Sequence, residues 1–263
     1  MAKASADRAE AARGAVRSAE LDRPIVPLDL NTFDVIAELK SRSPSEGEIA
    51  PESSSRGDQA ARYAAGGAAV ISVLTEPTQF AGRLAHLDEV VGAVGSVPVM
   101  RKDFLVDPAQ ILEARAVGAS GVLLIVTMLS DGQIRDMLNC AYDHSMFVLL
   151  ESFDEQDLER ARALLDGPRH GEQAQAGQLL FGVNTRDLRT LHVDPERLKA
   201  LAPALPDDVI CVAESGLNSA HDAAAVAGWG YRLALVGTAL MRSDDPQQLI
   251  TEMLDAGRDR RAA

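Results

Sequence analysis

Eight short apolar runs rich in β-branched residues recur along the chain, at 35–40, 69–75, 97–102, 121–126, 147–151, 180–184, 210–215 and 232–237, and each is followed by a stretch with helical periodicity. Such runs carry no alternating polar face. They read as strands covered on both sides, which calls for a parallel sheet with helices on its outer surface. Eight strand-helix units close naturally into a barrel, and 263 residues is an ordinary length for one. The expected fold is therefore α/β, a (β/α)8 TIM barrel over residues 35–263, preceded by a short N-terminal helical extension over 1–34. An open doubly wound sheet would announce itself by a glycine-rich turn after the first strand. Here that strand runs into Lys40-Ser41-Arg42-Ser43-Pro44, which is no dinucleotide-binding fingerprint.

Between the runs lie Ala/Leu/Glu/Arg-rich segments. In 108–118, Pro108 stands near the expected first turn and Gly118 near the end, as helix sterics favour. A second clear helix is predicted over 154–165. Residues 166–178 (DGPRHGEQAQAGQ) are polar and turn-rich, and predict a surface loop before the sixth strand. The first two dozen residues predict a weakly amphipathic helix laid against the domain. Only 4% of residues are aromatic, so aliphatic side chains and alanine must supply most of the core.

A net charge of −13, without any basic stripe, argues against a nucleic-acid partner, although a few local donors can still hold a small anion. Cys140 and Cys211 have neither metal nor redox spacing. No run is long enough to span a bilayer and no basic-then-apolar leader opens the chain, so a cytoplasmic monomer or weak homo-oligomer with no membrane partner is expected. None of His86, His144, His170, His192 and His221 falls at a strand end, and no metal site is expected.

Barrel enzymes work at the C-terminal ends of their strands. The first strand ends in Glu38 and Lys40, the third in Arg101-Lys102-Asp103, the fifth in Glu151, the sixth in Asn184 with Arg186, and the seventh in Glu214-Ser215-Gly216. A single Lys-Glu pair at a strand end can be no more than a structural ion pair. Ionisable groups at five ends of one mouth cost desolvation, and a charged ligand or a reaction gives a reason to keep them. Ser215-Gly216 and Gly237-Thr238, after the last two strands, suit a phosphate. Lysines and carboxylates around a phosphorylated small molecule suit acid–base chemistry: a lysine serves as acid when its pKa is drawn toward neutrality, and a glutamate as base when desolvation raises its own.

Ile36-Ala37-Glu38-Leu39-Lys40 followed by Ser43-Pro44-Ser45 resembles the first-strand signature of the indole-3-glycerol phosphate synthases. Further matches are Arg101-Lys102-Asp103-Phe104 with Asp107-Pro108, Gly182-Val183-Asn184 with Arg186-Asp187-Leu188, Ala213-Glu214-Ser215-Gly216, and Leu235-Val236-Gly237 with Leu240-Met241-Arg242. The resemblance spans about 35–246. It implies ring closure of 1-(2-carboxyphenylamino)-1-deoxyribulose 5-phosphate to indole-3-glycerol phosphate, with loss of carbon dioxide and water and with no cofactor or metal.

Carried over by position, the resemblance makes Lys102 a general acid, Glu151 a stabiliser of positive charge and a proton carrier, and Lys40, paired with Glu38, a contact for the substrate carboxylate. Asn184 and Arg186 would orient hydroxyls and carboxylates, with Glu214 nearby. Ser43, Ser215, Gly216, Gly237 and Thr238 would hold the phosphate, and Phe80, Phe104 and Leu188 would flank the anthranilate ring. The chain departs from the family pattern in a shorter segment before the first strand, Glu46 where lysine is common, Phe153 for a frequent histidine and Thr185 for a frequent second asparagine. A paralogue performing a related condensation in a specialised pathway, and a non-catalytic phosphate-ligand-binding barrel, are the alternative readings.

Overall fold

The computed structural model describes residues 2–43, 47–48, 55–186, 192–194 and 196–262. Eight parallel strands form a closed barrel: β1 Asp34–Leu39, β2 Val70–Leu74, β3 Val99–Lys102, β4 Gly121–Ile125, β5 Phe147–Ser152, β6 Leu179–Asn184, β7 Ile210–Glu214 and β8 Leu233–Val236. Closure comes from β1, which pairs with β2 on one edge and β8 on the other. A two-residue antiparallel ladder, Arg42–Ser43 with Gly47–Glu48, lies just beyond β1.

Period-two alternation divides each strand between two cores. Ile36, Met100, Leu149, Leu180, Val212 and Leu233 point inward and fill the barrel. Val35, Ile71, Leu124, Leu150, Phe181 and Ala234 point outward beneath the helices. Packing inside is tight enough to require a glycine at the start of β4, where any Cβ at Gly121 would overlap the Phe147 ring. Each fully buried aliphatic side chain stabilises the fold by about 1.5–3 kcal/mol relative to exposure.

The helices are α1 Ala2–Ala12, α2 Arg56–Ala65, α3 Pro77–Phe80, α4 Leu84–Val94, α5 Pro108–Ala116, α6 Asp131–Asp143, α7 Glu155–Ala163, α8 Pro168–Gln175, α9 Glu196–Leu201, α10 Ala220–Gly228, α11 Thr238–Arg242 and α12 Pro246–Ala262. Their starts follow capping chemistry. Asp107 accepts from Ala109 N at 2.9 Å, Asp154 from Asp157 N at 2.9 Å, and Ser219 from Asp222 N at 3.3 Å. Ser130 and Gln133 form a reciprocal capping box on α6.

The surface loop expected over 166–178 is corrected by α8. Pro168 occupies the first turn, His170 and Ala174 are buried four residues apart on one face, and Gly177, at φ +74°, ends the turn in the left-handed region. The polar composition of this segment reflects its outer face.

The helix expected over the first two dozen residues is shorter, α1 followed by a single 3-10 turn at Ser18–Glu20. Its docking is specific. Ser5 donates to the Phe104 carbonyl, Arg8 pairs with Asp103 at 2.6 Å, and Arg13 pairs with Asp107 at 2.6 Å. These contacts hold α1 at the C-terminal end of β3. The chain then descends beside the barrel, where the Arg23 carbonyl accepts from Arg115 and its guanidinium pairs with Asp88 at 2.7 Å. Leu28 and Leu30 pack against the inner core. At the N-terminal end of β1, Arg258 of α12 pairs with Asp34 at 2.7 Å, and Gly257 leaves room for the Phe33 ring.

Candidate active site

Alternation also decides which strand-end side chains face inward. Continuing the inward series from Ile36 gives Glu38 and Lys40; from Met100, Lys102; from Leu149, Glu151; from Leu180, Gly182 and Asn184; and from Val212, Glu214. All of these but Gly182 and Glu214 open onto a cavity of about 580 Å³ at the C-terminal ends of the strands. Glu38, Lys40, Lys102, Glu151, Asn184, Arg186, Phe80, Phe104, Ser215, Gly216, Gly237 and Thr238 all line it. Glu214 lies just beneath, fully buried. The side chain of Ser43, and all of Glu46 and Leu188, lie outside the described residues.

Lys40 and Lys102 converge on one carboxylate. Lys40 Nζ stands 2.7 Å from Glu38 Oε1, and Lys102 Nζ stands 2.9 Å from Glu38 Oε2. Lys102 also reaches Glu214 Oε2 at 3.3 Å. Both lysine side chains are close to nine-tenths buried, at 11% and 13% exposure. Next around the barrel, Asn184 donates to Glu151 Oε2 at 2.9 Å and accepts from the Arg186 backbone N–H at 2.9 Å. Strand register explains these neighbours, since Glu151 lies opposite Gly182 and Asn184 opposite Glu214.

The electrostatics follow from burial and proximity. Burial alone would push the Glu38 carboxyl up, but Lys102 and Lys40 together hold it down at about 2. For Lys102 burial works downward, yet Glu38, Glu214 and Glu151 outweigh it and raise the ammonium above its ordinary range. A lysine drawn toward neutrality is therefore not found: the surrounding acidic groups, Glu38 foremost, keep Lys102 charged. Glu214 moves the other way. Burial and the neighbouring Glu151 charge, opposed by Lys102, raise it well above the ordinary carboxylate range. The site thus combines an ammonium acid, an ionised Glu38 and a Glu214 carboxyl that favours its proton.

Arg101, before Lys102, faces away from the inner series, while Asp103, just past the end of β3, borders the cavity. Arg101 is bound by Glu113 at 2.8 Å, the Gln110 carbonyl at 2.9 Å and Asp103 at 3.1 Å, and is a structural cation. Asp103 accepts from Thr75 at 2.8 Å, the Phe104 N–H at 2.7 Å and Arg8 at 2.6 Å, so it anchors the loop that carries Phe104. Glu76 caps α3 through Thr78 N and Gln79 N, which sets Phe80 opposite Phe104 with ring centroids 6.3 Å apart. An apolar wall of Leu74, Leu123 and Ile125 completes this side. On the other side, Ser215 (φ +69°) and Gly216 (φ +78°) are consecutive left-handed residues that bend the chain sharply after β7. A serine in that region is uncommon, and such strain gathers at functional turns. Gly237, Thr238, Ala239 and Arg242, which follow the neighbouring strand β8, line the cavity beside them.

Sequence reasoning gave no site role to Glu76, Gln79, Arg242 or the apolar wall. Leu74 and Ile125 end strands with no charged residue, so a search for charge passed them by. Arg242 stands four residues after Thr238, one helical turn on, and that spacing was the available signal. Among the described residues no group of three His, Cys, Asp or Glu side chains could hold a metal ion, and no helix is long and apolar enough to cross a membrane.

Known proteins match this arrangement. A family model described as indole-3-glycerol phosphate synthase matches residues 25–253. Over 223 residues the chain is 43% identical to the indole-3-glycerol phosphate synthase of Rhodococcus opacus, covering 85% of this chain and 78% of that one. Over 258 residues it is 42% identical to the indole-3-glycerol phosphate synthase of Mycolicibacterium gilvum, covering 94% and 90%. Among solved structures, the 3-hexulose-6-phosphate synthase from Salmonella typhimurium superposes with a TM-score of 0.63 at 16% identity, over 87% of this chain and 100% of that one. That last likeness bears on the fold alone.

Proposed function

The chain belongs to the indole-3-glycerol phosphate synthase family, and from that premise we propose that it closes the indole ring of 1-(2-carboxyphenylamino)-1-deoxyribulose 5-phosphate. The observation that carries this reading is the meeting of Lys40 and Lys102 on the two oxygens of Glu38, between an aromatic wall and a turn suited to phosphate. The substrate has three parts in the same order: a benzoate, a reacting ketone and a phosphate. Phe80 and Phe104 flank the ring, Lys40 receives the carboxylate, and Ser215, Gly216, Gly237 and Thr238 take the phosphate.

In the first step the ring carbon bearing the carboxylate attacks the ketone carbon, and the carbonyl π electrons move to oxygen. Lys102 delivers its proton there. Its raised pKa does not obstruct this transfer, because the alkoxide that would otherwise form is a far stronger base than an amine. The bond to the carboxylate then breaks, its electron pair restores the aromatic ring, and carbon dioxide leaves. In the second step the new hydroxyl departs with a further proton as water. A proton is lost from the carbon joined to nitrogen, and the pyrrole ring is complete. Glu151, oriented by Asn184, stabilises the positive charge that develops at nitrogen and carries a proton. The products account for every atom of the substrate, so the reaction is a carbon–carbon lyase step, a decarboxylation with dehydration that calls for no oxidant. A free phosphorylated metabolite as substrate fits action in the cytoplasm, without nucleic-acid or membrane partners.

The test is to incubate purified protein with the anthranilate-ribulose phosphate and follow indole absorbance. Product should form, and Lys102→Met should lower kcat by about 10²–10⁴-fold, the range of general acid catalysis. Correctly folded protein that forms no product would sink the proposal. Rescue of a tryptophan auxotroph lacking the synthase is expected as well; in vitro turnover without rescue would favour the paralogue in a specialised pathway.

A further inference from the structure

The two carboxylates that grip Lys102 share a construction. Glu38 on β1 leans toward β8, where a Cβ at Gly237 would overlap Glu38 Oε1 and come within 2.8 Å of Lys40 Nζ. Glu214 on β7 leans toward β6, where a Cβ at Gly182 would overlap Glu214 Oε1 and come within 3.3 Å of its Cδ. Each carboxyl therefore occupies space left by a glycine on the adjacent strand, Gly182 within β6, or one residue past its end, Gly237 after β8. Gly121 makes a useful contrast, since the space beside it is filled by the apolar ring of Phe147. At the floor of the barrel a missing side chain serves packing. At its mouth the same device admits charge-bearing groups.

Gly182 belongs to the inward series of β6, between Leu180 and Asn184, and lies opposite both Glu151 and Val212 in the register. Its φ is not in the left-handed region, so backbone conformation does not demand glycine there. Glu214 Oε1 is buried without a hydrogen-bond partner. Lys102, at 3.3 Å from Oε2, and the neighbouring Glu151 hold the carboxyl, and the room beside Gly182 is what lets Oε1 stand where it does.

We infer that Gly182 is a positioning residue that sets where the Glu214 carboxyl stands, and through it the charge environment of Lys102. A methyl at this position would push the carboxyl aside, lengthening its 3.3 Å contact with Lys102 and changing its approach to Glu151. Phe80, Phe104 and the Gly237-Thr238 turn follow other strands than the β6 and β7 that carry Gly182 and Glu214. Turnover should then suffer more than substrate binding. This consequence rests on the catalytic role proposed for Lys102; the placement of the carboxyl does not.

Gly182→Ala, Glu214→Asp and the double variant form the test, together with the infrared carbonyl band of a protonated carboxylic acid, assigned to Glu214 by its loss in Glu214→Gln. Gly182→Ala should lower kcat about 10- to 100-fold, as expected for sub-ångström to ångström misplacement, with KM changed less than about threefold. It should also shift or abolish the Glu214 band. In the Glu214→Asp background, where the shorter carboxyl stands back from the methyl, the same substitution should cost less than about threefold. If Gly182→Ala alone fails to fold, the double variant should fold. The inference is overturned if the methyl costs the same in both backgrounds, if the band is unmoved, or if the double variant fails to fold. If the wild-type protein forms no indole product, the infrared comparison still decides where the carboxyl stands, so the two failures are distinguishable.

Discussion

Glu38→Gln removes one charge while nearly preserving shape, and its effect can be worked from the geometry. The carboxylate bridges Lys40 at 2.7 Å and Lys102 at 2.9 Å, and these two cations hold it at about 2 against an ordinary 4.5. At about 1.4 kcal/mol per pH unit, that depression corresponds to roughly 3 kcal/mol of folding stability at neutral pH. The figure agrees with the cost, about 3–5 kcal/mol, of removing one partner from a buried ion pair. The sign is set by the direction of the shift: a carboxyl whose folded pKa is depressed contributes fully above its unfolded pKa and loses that contribution as pH falls through the folded value. The contribution should fall from roughly 3 kcal/mol at pH 7 to between about 1 and 2 kcal/mol at pH 3. Urea unfolding of wild type and variant at pH 7, 5, 4 and 3 measures it, and taking the difference at each pH cancels titrations common to both proteins. A difference that is flat with pH, or below about 1 kcal/mol at pH 7, would refute the account of Glu38 as the clamp on both lysines.

Glu214→Gln should show the opposite trend. Its carboxyl is raised, so its contribution is present below the ordinary carboxylate range and is lost as pH rises through the raised value. The melting temperature of the variant should gain on wild type as pH rises above the ordinary carboxylate range, and a constant difference would contradict the assignment. Arg8→Ala removes the 2.6 Å contact with Asp103 from a side chain 27% exposed. It should cost about 1 to 2 kcal/mol in urea unfolding and raise KM several-fold by loosening the Phe104 loop, whereas an unchanged KM would separate α1 from the site. Gly216→Ala places a side chain at φ +78° and within 3.2 Å of Val193 Cγ1. About 1–2 kcal/mol of strain is expected, with weaker competitive inhibition by inorganic phosphate; unaltered phosphate inhibition would remove this turn from the phosphate site.

What could be read from the chain depended on whether the information was local. Eight buried parallel strands carry their signature in runs of a few residues, and the inward-facing Glu38, Lys102, Glu151 and Glu214 stand out because charge inside such runs is expensive. Helix α8 was hidden because His170 and Ala174, its buried pair, are outnumbered by polar neighbours. Pairings across the sequence could not be seen at all. Ser5 meets the Phe104 loop 99 residues away, and Lys102 meets Glu214 112 residues away. The direction of the Lys102 shift was not legible for the same reason: burial is suggested by the sequence around Lys102, but its surrounding acidic groups come from β1, β5 and β7. The need for Gly182 was harder still, since what matters there is an atom the residue lacks.

Helices α1 and α12 bear on how the protein can be handled. The first sits against Asp103 and Phe104 at the rim of the cavity, while the last reaches Phe33 and Asp34 at the opposite end of the barrel. A purification tag, fluorophore or surface tether attached ahead of α1 would crowd the substrate entrance and could imitate a loss of catalysis. The same attachment after α12 would leave the entrance clear, which makes the carboxyl-terminal side the place for immobilisation and the amino-terminal side the place for a reporter of substrate arrival.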